Sequence, residues 1–442
     1  MFVLQFEAKL RKNKVFTDAS YKKINLNIFY LKSAYYELKS YYTMNVTVFI
    51  SILGFILSIL GISLVFFIYP FTLLVLSLIC KQKPKKATNH WLNNYQPKVS
   101  LVVAFYNAEK IIEKKIKNSL DLHYPKQKLE IIFSSDGSTD RSEKIVQQYT
   151  KDGIKLITSN THQGKAYALN AAVQHSCGEI LLFSDADAIL DSEAINHLIK
   201  HYRQPDIGGI CGQRVVDKEK NSLKIAQFQY IKLDSWIKIM ETKIGSITSN
   251  DGKLYSIRKK LFQPIDEAVT DDLYTCLGVI TQGYRFIFEP KAKAYIPTPS
   301  RSPKHEIMRR RRIVARSLRG IYLRREVLNP FKYGFYSVGL FINKVLRRML
   351  PVFLICLLVS SCILSCFYSL IQYLLFAQVI IYGPALIYPL LAFLPSKNKL
   401  TIILSKVSSV AFYFCIGNLG TLLGLFDFLR GEKIAKWQPI KD

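Results

Sequence analysis

Apolar positions follow two different patterns along the chain. Blocks at about 45–80 and 350–428 are almost free of charge, whereas residues 81–330 mix short apolar runs with stretches of helical spacing. In that middle part KVSLVVAFYN (98–107), KLEIIFSSDGS (128–138), IKLITSN (154–160) and GEILLFSDAD (178–187) predict strands. AEKIIEKKIKNSL, SEKIVQQYTK and GKAYALNAAVQHS lie between them with amphipathic spacing and predict helices. Strands apolar on both faces, alternating with helices, predict a Rossmann-like α/β fold with a mainly parallel sheet covered on both sides. Ligands of such sheets sit beyond the carboxyl ends of the strands.

The first apolar block, NVTVFISILGFILSILGISLVFFIYPFTLLVLSLICK, is long for one span of about 20 residues and short for two. It predicts one long tilted helix bent before Pro70, with a tight hairpin as the alternative. Residues 1–44 form a basic extension that fits neither a signal peptide nor a core. Met44, directly before the apolar run, is a candidate translation start, which would make the residues ahead of it an artefact of start assignment. An interfacial helix is expected at 331–349, then runs at about 350–370, 371–394 and 403–428, and a tail at 429–442. The connector PSKNK and the tail RGEKIAKWQP are both basic and both favour the cytoplasmic side, yet three crossings would put the tail outside. The region is therefore expected to hold two or three crossings, with one segment interfacial or re-entrant.

A formal net charge of +29 would suit a nucleic-acid partner. The basic residues instead gather beside the apolar blocks, at Lys81, Lys83, Lys85 and Lys86 and at Arg347 and Arg348. That placement predicts membrane lipids and not nucleic acid as the partner. The cysteines are scattered, without a CxxC pair or Cys/His cluster, which argues against a zinc site or disulfide framework and suits a reducing compartment.

The candidate chemistry lies at strand ends. In an extended FSDAD, Asp185 and Asp187 point the same way about 6–7 Å apart and repel by roughly 2–3 kcal/mol at an effective dielectric near 20. A divalent cation with oxygen ligands, Mg²⁺ or Mn²⁺, would cancel that repulsion and bridge to a diphosphate. Asp191, before SEAINHLIK, reads as a helix cap. Asp136 stands at a strand tip ahead of the turn at Gly137, where it can stabilise the turn or accept hydrogen bonds from a base or ribose. Asp140 and Glu143 read as a capping pair for the next helix. Gly164 and Lys165 open a helix, a place that favours anions, although Lys165 reads equally as an exposed residue at a helix start and the P-loop pattern is absent. Asp271 and Asp272 precede an amphipathic helix ending at Gly283; one is explained by the helix dipole, and the other can serve as a general base if it faces the metal site.

The ordered set AFYNAEK, SSDGSTD, GKAYALN, SDAD, GKLYSIRKKLF and TDD…GYRF closely resembles the membrane-bound family-2 glycosyltransferases with a GT-A catalytic fold, over about residues 97–320. The flanks and the tail GNLGTLLGLFDFLRG…KWQP are similar to those of bacterial exopolysaccharide transferases of the poly-N-acetylglucosamine and cellulose-synthase kind. The resemblance implies a cytosolic GT-A domain at 81–330 in an integral protein of the bacterial inner membrane. It implies inverting, metal-dependent transfer from a UDP-sugar to a growing polysaccharide or other glycan acceptor. By the same resemblance Asp136 contacts the uracil, Asp185 the nucleotide, and Asp187 the metal on the diphosphate. Asp272 takes the last position of the family's TED motif as catalytic base, with Asp271 in place of the Glu.

Processive members carry QxxRW some forty residues after the base. Aligning Arg309–Ile313 keeps the arginine as Arg312 but lacks both the Gln and the Trp that stacks on the acceptor sugar. Addition of a single sugar to a polyprenyl-phosphate or lipid-linked acceptor is therefore the alternative to chain synthesis. A non-enzymatic transporter or scaffold has no use for aspartates at several strand ends. The arginine run itself suits a basic helix on anionic lipid, a role compatible with one arginine, Arg312, on the diphosphate. Residues that read the donor hexose are expected near Gly252–Arg258.

Overall fold

A computed structural model describes residues 18–79, 95–216, 222–296, 302–391 and 399–434. Helix α1 (Asp18–Ser63) continues through a π-helical turn, Leu64–Ile68, into α2 (Tyr69–Ile79). Pro70 has no N–H to give to the preceding turn, and the wider turn just ahead of it lets the helix run on. The single long helix expected from the sequence is found, and the expected boundary at residue 44 falls inside α1. Residues 1–17 of the expected extension, and the basic cluster Lys81–Lys86, lie outside the described residues.

The central domain is built around an eight-stranded sheet. Its first half alternates β1 (Val99–Phe105), α3 (Ile112–Leu120), β2 (Leu129–Ser135), α4 (Ser142–Gln148), β3 (Ile154–Ile157), α5 (Lys165–Gln174) and β4 (Ile180–Phe183). There follow β5 (Ile189–Leu190), α6 (Ala194–Ile199), β6 (Ile207–Val216), α7 (Ser222–Ile244), β7 (Tyr255–Arg258), α8 (Asp271–Thr281), β8 (Arg285–Ile296) and α9 (Pro303–Leu323). Strand order is β3-β2-β1-β4-β7-β6-β8-β5.

The pairs β3–β2, β2–β1 and β1–β4 are parallel, as expected, and so is β6–β8. β7 runs antiparallel to both β4 and β6, and β5 antiparallel to β8, so the sheet is mixed. The reversal at β7 follows from where it begins: Tyr255 pairs with Phe183, the last residue of β4, so β7 starts at the carboxyl end of its neighbour and must run back.

Alternation along the strands feeds two cores, one on each face. Val99, Leu101, Val103 and Phe105 of β1 pack with Ile112 and Ile116 of α3 and with Ile195 and Leu198 of α6. Val102 and Ala104 point the other way, joining Leu181 and Phe183, Leu169 and Ala172 of α5, and Cys276 and Val279 of α8. Each such buried Leu, Ile or Phe contributes roughly 1.5–3 kcal/mol.

After the sheet come α10 (Phe335–Leu364), α11 (Ser369–Leu391) and α12 (Lys399–Leu429). Among the described residues four helical stretches are long and apolar enough to cross a membrane: Tyr35–Ile79, Phe335–Leu364, Ser369–Leu391 and Ile403–Leu429. The interfacial helix expected at 331–349 is not separate. The break falls at Gly334, whose φ is +58°, and the chain is helical from Phe335 onward through a π turn at Phe341–Val345 and a 3-10 turn at Leu346–Met349.

The chain forms two compact units, residues 1–58 with 356–376, and residues 59–355 with 377–442. In the first, Gly54 lies close to Ser360 Oγ, 3.0 Å from where a Cβ would stand. The second holds the sheet domain. Within it α9 lies along the later half of α12, because Gly420 and Gly424 let the two backbones meet. A Cβ at Gly420 would stand 2.7 Å from the Ile307 carbonyl oxygen, and one at Gly424 2.4 Å from that of Arg311. Arg311 Nη2 donates to Asp427 Oδ1 at 2.7 Å across the same crossing.

Candidate active site

Asp136 follows β2 and is fully buried. Its Oδ1 accepts from the backbone N–H groups of Gln163 (2.9 Å) and Gly164 (3.0 Å), and His162 Nδ1 lies 2.8 Å from Oδ2. Gly137 has φ of +72°, and a Cβ there would stand 2.7 Å from the Thr161 carbonyl carbon, so the turn after β2 and the loop before α5 press together. The His162 ring in turn stacks on Tyr106, just past β1, with centroids 3.9 Å apart. Asp136 thus fixes the loop that launches α5, and every ligand near it meets a carboxylate already engaged by its own chain. Asp140 and Glu143 do not form the expected capping pair. Asp140 accepts from Ser142 N (3.0 Å) and Glu109 N (3.0 Å), and Glu143 accepts from Ser135 Oγ at 2.5 Å. Asp191 closes a turn onto Glu193 N at 3.1 Å ahead of α6 rather than capping the helix itself.

The aspartate pair after β4 is offset by lysines. Lys165, first residue of α5 behind Gly164 (φ +111°), donates to Asp185 Oδ1 at 2.7 Å and to Asp271 Oδ2 at 2.8 Å. Lys253 Nζ lies 3.0 Å from Asp185 Oδ2 and 2.7 and 2.9 Å from the two oxygens of Asp187. Burial opposes charge on Asp185, but Lys165 and Lys253 outweigh it and hold the carboxyl below the usual range. Burial likewise opposes charge on Lys165, and Asp185 and Asp271 outweigh it and raise its pKa. Behind the pair Lys115 is fully buried; its ammonium donates to Ser184 Oγ (2.8 Å) and the Ala188 carbonyl (2.6 Å), and burial pulls its pKa down to about 7 against Asp185 and Asp187.

The donor set fits a divalent cation that arrives with its own oxygens. Among the described residues no group of three His, Cys, Asp or Glu side chains forms a closed metal site. Mg²⁺ is commonly held by one or two carboxylates plus substrate phosphates and waters. The Asp187 side chain is 38 % exposed, open to such a cation once Lys253 leaves it.

Asp271 and Asp272 open α8 from Thr270. Asp272 Oδ1 accepts from Leu273 N at 2.7 Å, and Asn250 Nδ2 donates to its carbonyl at 2.9 Å. Burial, with Asp271 and Asp251 adding to it, pushes the Asp272 carboxyl up to about 7. Gly283, at φ +82°, closes the far end of α8 as expected: its N–H reaches the Ile280 carbonyl and that of Tyr284 the Val279 carbonyl.

Arg312 and Arg316 of α9 stand four residues apart and so on one face; Asp185 and Asp271 act on them electrostatically as minor influences, and Arg316 Nε donates to the Ile434 carbonyl at 2.8 Å. Burial and Arg309 lower the Arg312 pKa; burial and Arg312 lower that of Arg316 to about 10. The rest of the run is engaged elsewhere, Arg309 and Arg310 with Glu306 and Arg311 with Asp427.

The loop Ile247–Leu254 carries Asn250, Asp251 and Lys253 into this cluster. Glu241 of α7 anchors it by accepting from Thr248 N at 2.9 Å and from Tyr69 Oη at 2.6 Å, and Lys344 Nζ donates to Ser249 Oγ at 2.6 Å. Sequence reading missed Lys115 and Arg316, and placed Lys253 only within the stretch Gly252–Arg258 expected to read the hexose, not on the aspartates. Lys115 does leave a trace, since it shares the buried face Ile112–Ile116–Ser119 of α3. Gly252 and Lys253 sit at the cluster, but Arg258 does not: it binds the carbonyls of Tyr202, Gln204 and Ile207 at the opposite end of β7.

Residues 100–265 match the family described as glycosyl transferase family 2. The poly-beta-1,6-N-acetyl-D-glucosamine synthase of Staphylococcus epidermidis is 25% identical over 208 residues, 46% of this chain and 50% of that protein. The probable glycosyltransferase YdaM of Bacillus subtilis (strain 168) is 28% identical over 223 residues, 47% of this chain and 53% of that protein. The chain spans about half the length of the curated relatives it matches. Among solved structures, mannosyltransferase PcManGT from Pyrobaculum calidifontis in complex with GDP-Man and Mn²⁺ superposes with a TM-score of 0.56 at 21% identity, over 83% of this chain and 99% of that chain, a likeness of fold.

Proposed function

We propose that this chain, which carries a family 2 glycosyltransferase domain, inverts the anomeric centre of a UDP-sugar as it adds the sugar to a growing polysaccharide at the inner face of a bacterial membrane. The observation that carries the reading is the placement of Asp272. It is a partly buried carboxyl with a pKa raised to about 7, next to Asp271, which shares Lys165 with Asp185. Such a group suits a general base for an acceptor hydroxyl. The deprotonated hydroxyl attacks the anomeric carbon in line, the glycosidic bond to the diphosphate breaks, and no covalent enzyme intermediate forms. Lys165 and Arg312 supply positive charge for the departing diphosphate. Asp187 would hold Mg²⁺ or Mn²⁺, which adds charge on the same leaving group. Asp136 and Asp185 would receive the nucleotide, Asp136 through the loop it orders.

Nucleotide sugars are cytosolic, which favours a cytosolic catalytic domain, and basic α9 suits contact with anionic lipid. Names of relatives such as poly-beta-1,6-N-acetyl-D-glucosamine synthase support a polysaccharide product. Ile313, in the place of the acceptor-stacking Trp, favours a second reading, a single sugar added to a lipid-linked acceptor. Product length separates the two: long chains exclude single addition, and one added sugar excludes the polymerase.

The test is UDP release from purified membranes given a panel of UDP-sugars beside GDP-mannose. One UDP-sugar is consumed, chelation by EDTA stops release, and Mg²⁺ or Mn²⁺ restores it. Release that ignores EDTA and persists in Asp187→Ala would sink the metal assignment. The same assay reads pH. Asp272 acts only when charged, and its raised pKa leaves it mostly neutral below about 7. Hence kcat/KM falls about tenfold per pH unit below that value. A rate that is flat from pH 8 to pH 5 contradicts the base.

A further inference from the structure

Lys253 occupies the oxygens that a divalent cation would need. Its ammonium contacts Asp185 Oδ2 at 3.0 Å and both oxygens of Asp187 at 2.7 and 2.9 Å. The backbone beneath it is fixed: Asp251 Oδ1 accepts from Lys253 N at 3.2 Å, and Ser184 Oγ donates to the Lys253 carbonyl at 3.0 Å. The side chain above is a flexible four-carbon stem with a rotatable head. It can therefore leave the carboxylates while its own main chain stays in place.

The charges around the pair leave no room for an added cation alone. Lys165 and Lys253 already compensate Asp185 and Asp187, with Lys253 seated on both oxygens of Asp187. Among the described residues no third carboxylate, His or Cys joins the pair to make a metal site. A dication entering the empty site would face these ammonium groups at close range. A dication entering with a diphosphate brings compensating negative charge, and offers the displaced ammonium new oxygen partners.

We propose that Lys253 is a resident counter-cation of the Asp185–Asp187 pair that swings onto the donor diphosphate when the metal enters, so that metal and nucleotide bind synergistically. The inference rests on the reading of Asp187 as the metal-holding residue. It makes Lys253 a residue that touches substrate, and it weakens the empty enzyme's hold on metal alone.

The experiment measures Mn²⁺ binding by the loss of free-ion EPR signal, using the full chain purified in detergent, with and without UDP. In wild type, UDP tightens Mn²⁺ binding by about tenfold or more, and Mn²⁺ tightens UDP binding by the same factor. Lys253→Met binds Mn²⁺ alone about tenfold more tightly than wild type, and UDP adds little further. Lys253→Arg, which keeps the charge, behaves as wild type. Equal Mn²⁺ affinity of wild type and Lys253→Met without UDP overturns the proposal while leaving the metal assignment standing. No Mn²⁺ bound by wild type even with UDP overturns both. If Lys253→Met does not fold, wild type decides alone: a Mn²⁺ affinity unaffected by UDP ends the proposal.

Discussion

Asp272→Asn loses transfer but keeps its nucleotide: turnover falls by about 10²–10⁴-fold while UDP binding, measured by calorimetry, stays near the wild-type value. The substitution preserves shape and the hydrogen bond from Leu273 N to the side-chain oxygen, and removes only the ability to take a proton. The neighbour responds differently. Asp271 is held by Lys165 at 2.8 Å, and that lysine also binds Asp185, so Asp271→Asn loosens the ammonium that faces the donor and raises KM more than it lowers kcat. The two variants thus separate proton transfer from donor placement. Asp272→Asn should also erase the acidic limb of the pH profile. Residual turnover within tenfold of wild type, or a limb near pH 7 that survives in Asp272→Asn, would remove Asp272 from the role of base.

Gly424→Val, far from any substrate atom, lowers transfer by about 10²-fold, the cost of misplacing a catalytic group by about 1 Å. A Cβ at this position would stand 2.4 Å from the carbonyl oxygen of Arg311 and 2.9 Å from Val314 Cβ. The first of these is helix backbone and cannot rotate away, so α9 must move off α12. Arg312 follows Arg311 directly in α9, and its field at Asp185 moves with it. Gly417→Val on the same helix is the control, because nothing lies within 4 Å of a Cβ there. UDP-release rates of the two variants, compared at matched expression and melting temperature, give the answer. Equal rates would mean that the crossing does not set the site.

Much of this arrangement is legible along the chain because it depends on local pattern. Strand ends at Ser135 and Phe183 follow from apolar runs stopping at polar residues, and the turn at Gly137 and the helix start at Lys165 follow from glycine placement. Charge repulsion correctly singles out Asp185 and Asp187 as a pair in need of compensation. The identity of the compensating group is not local: Lys253 is 66 positions from Asp187, and Asp271 is 106 positions from Lys165. Nothing in a window of sequence reports such meetings. The direction of β7 is hidden for the same reason, since it depends on where the loop before it finishes against β4. For the arginines, sequence shows a run of like charges, whereas the fold divides them, with Glu306 pairing with Arg309 and Arg310, Asp427 with Arg311, and the buried Arg312 lying in the field of Asp185.

The Arg311–Asp427 contact also constrains how the chain can thread a membrane. From Arg311 the chain departs through α10 and α11 and returns along α12 until Asp427 Oδ1 is 2.7 Å from Arg311 Nη2. The segment between them is a closed loop in space. A closed loop pierces any continuous sheet an even number of times. For any bilayer that these helices enter, α10, α11 and α12 therefore cannot each cross once; the number of crossings between Arg311 and Asp427 is even. Arg311 and Asp427 then lie on the same side of that bilayer, a matter of parity that holds whichever helices cross.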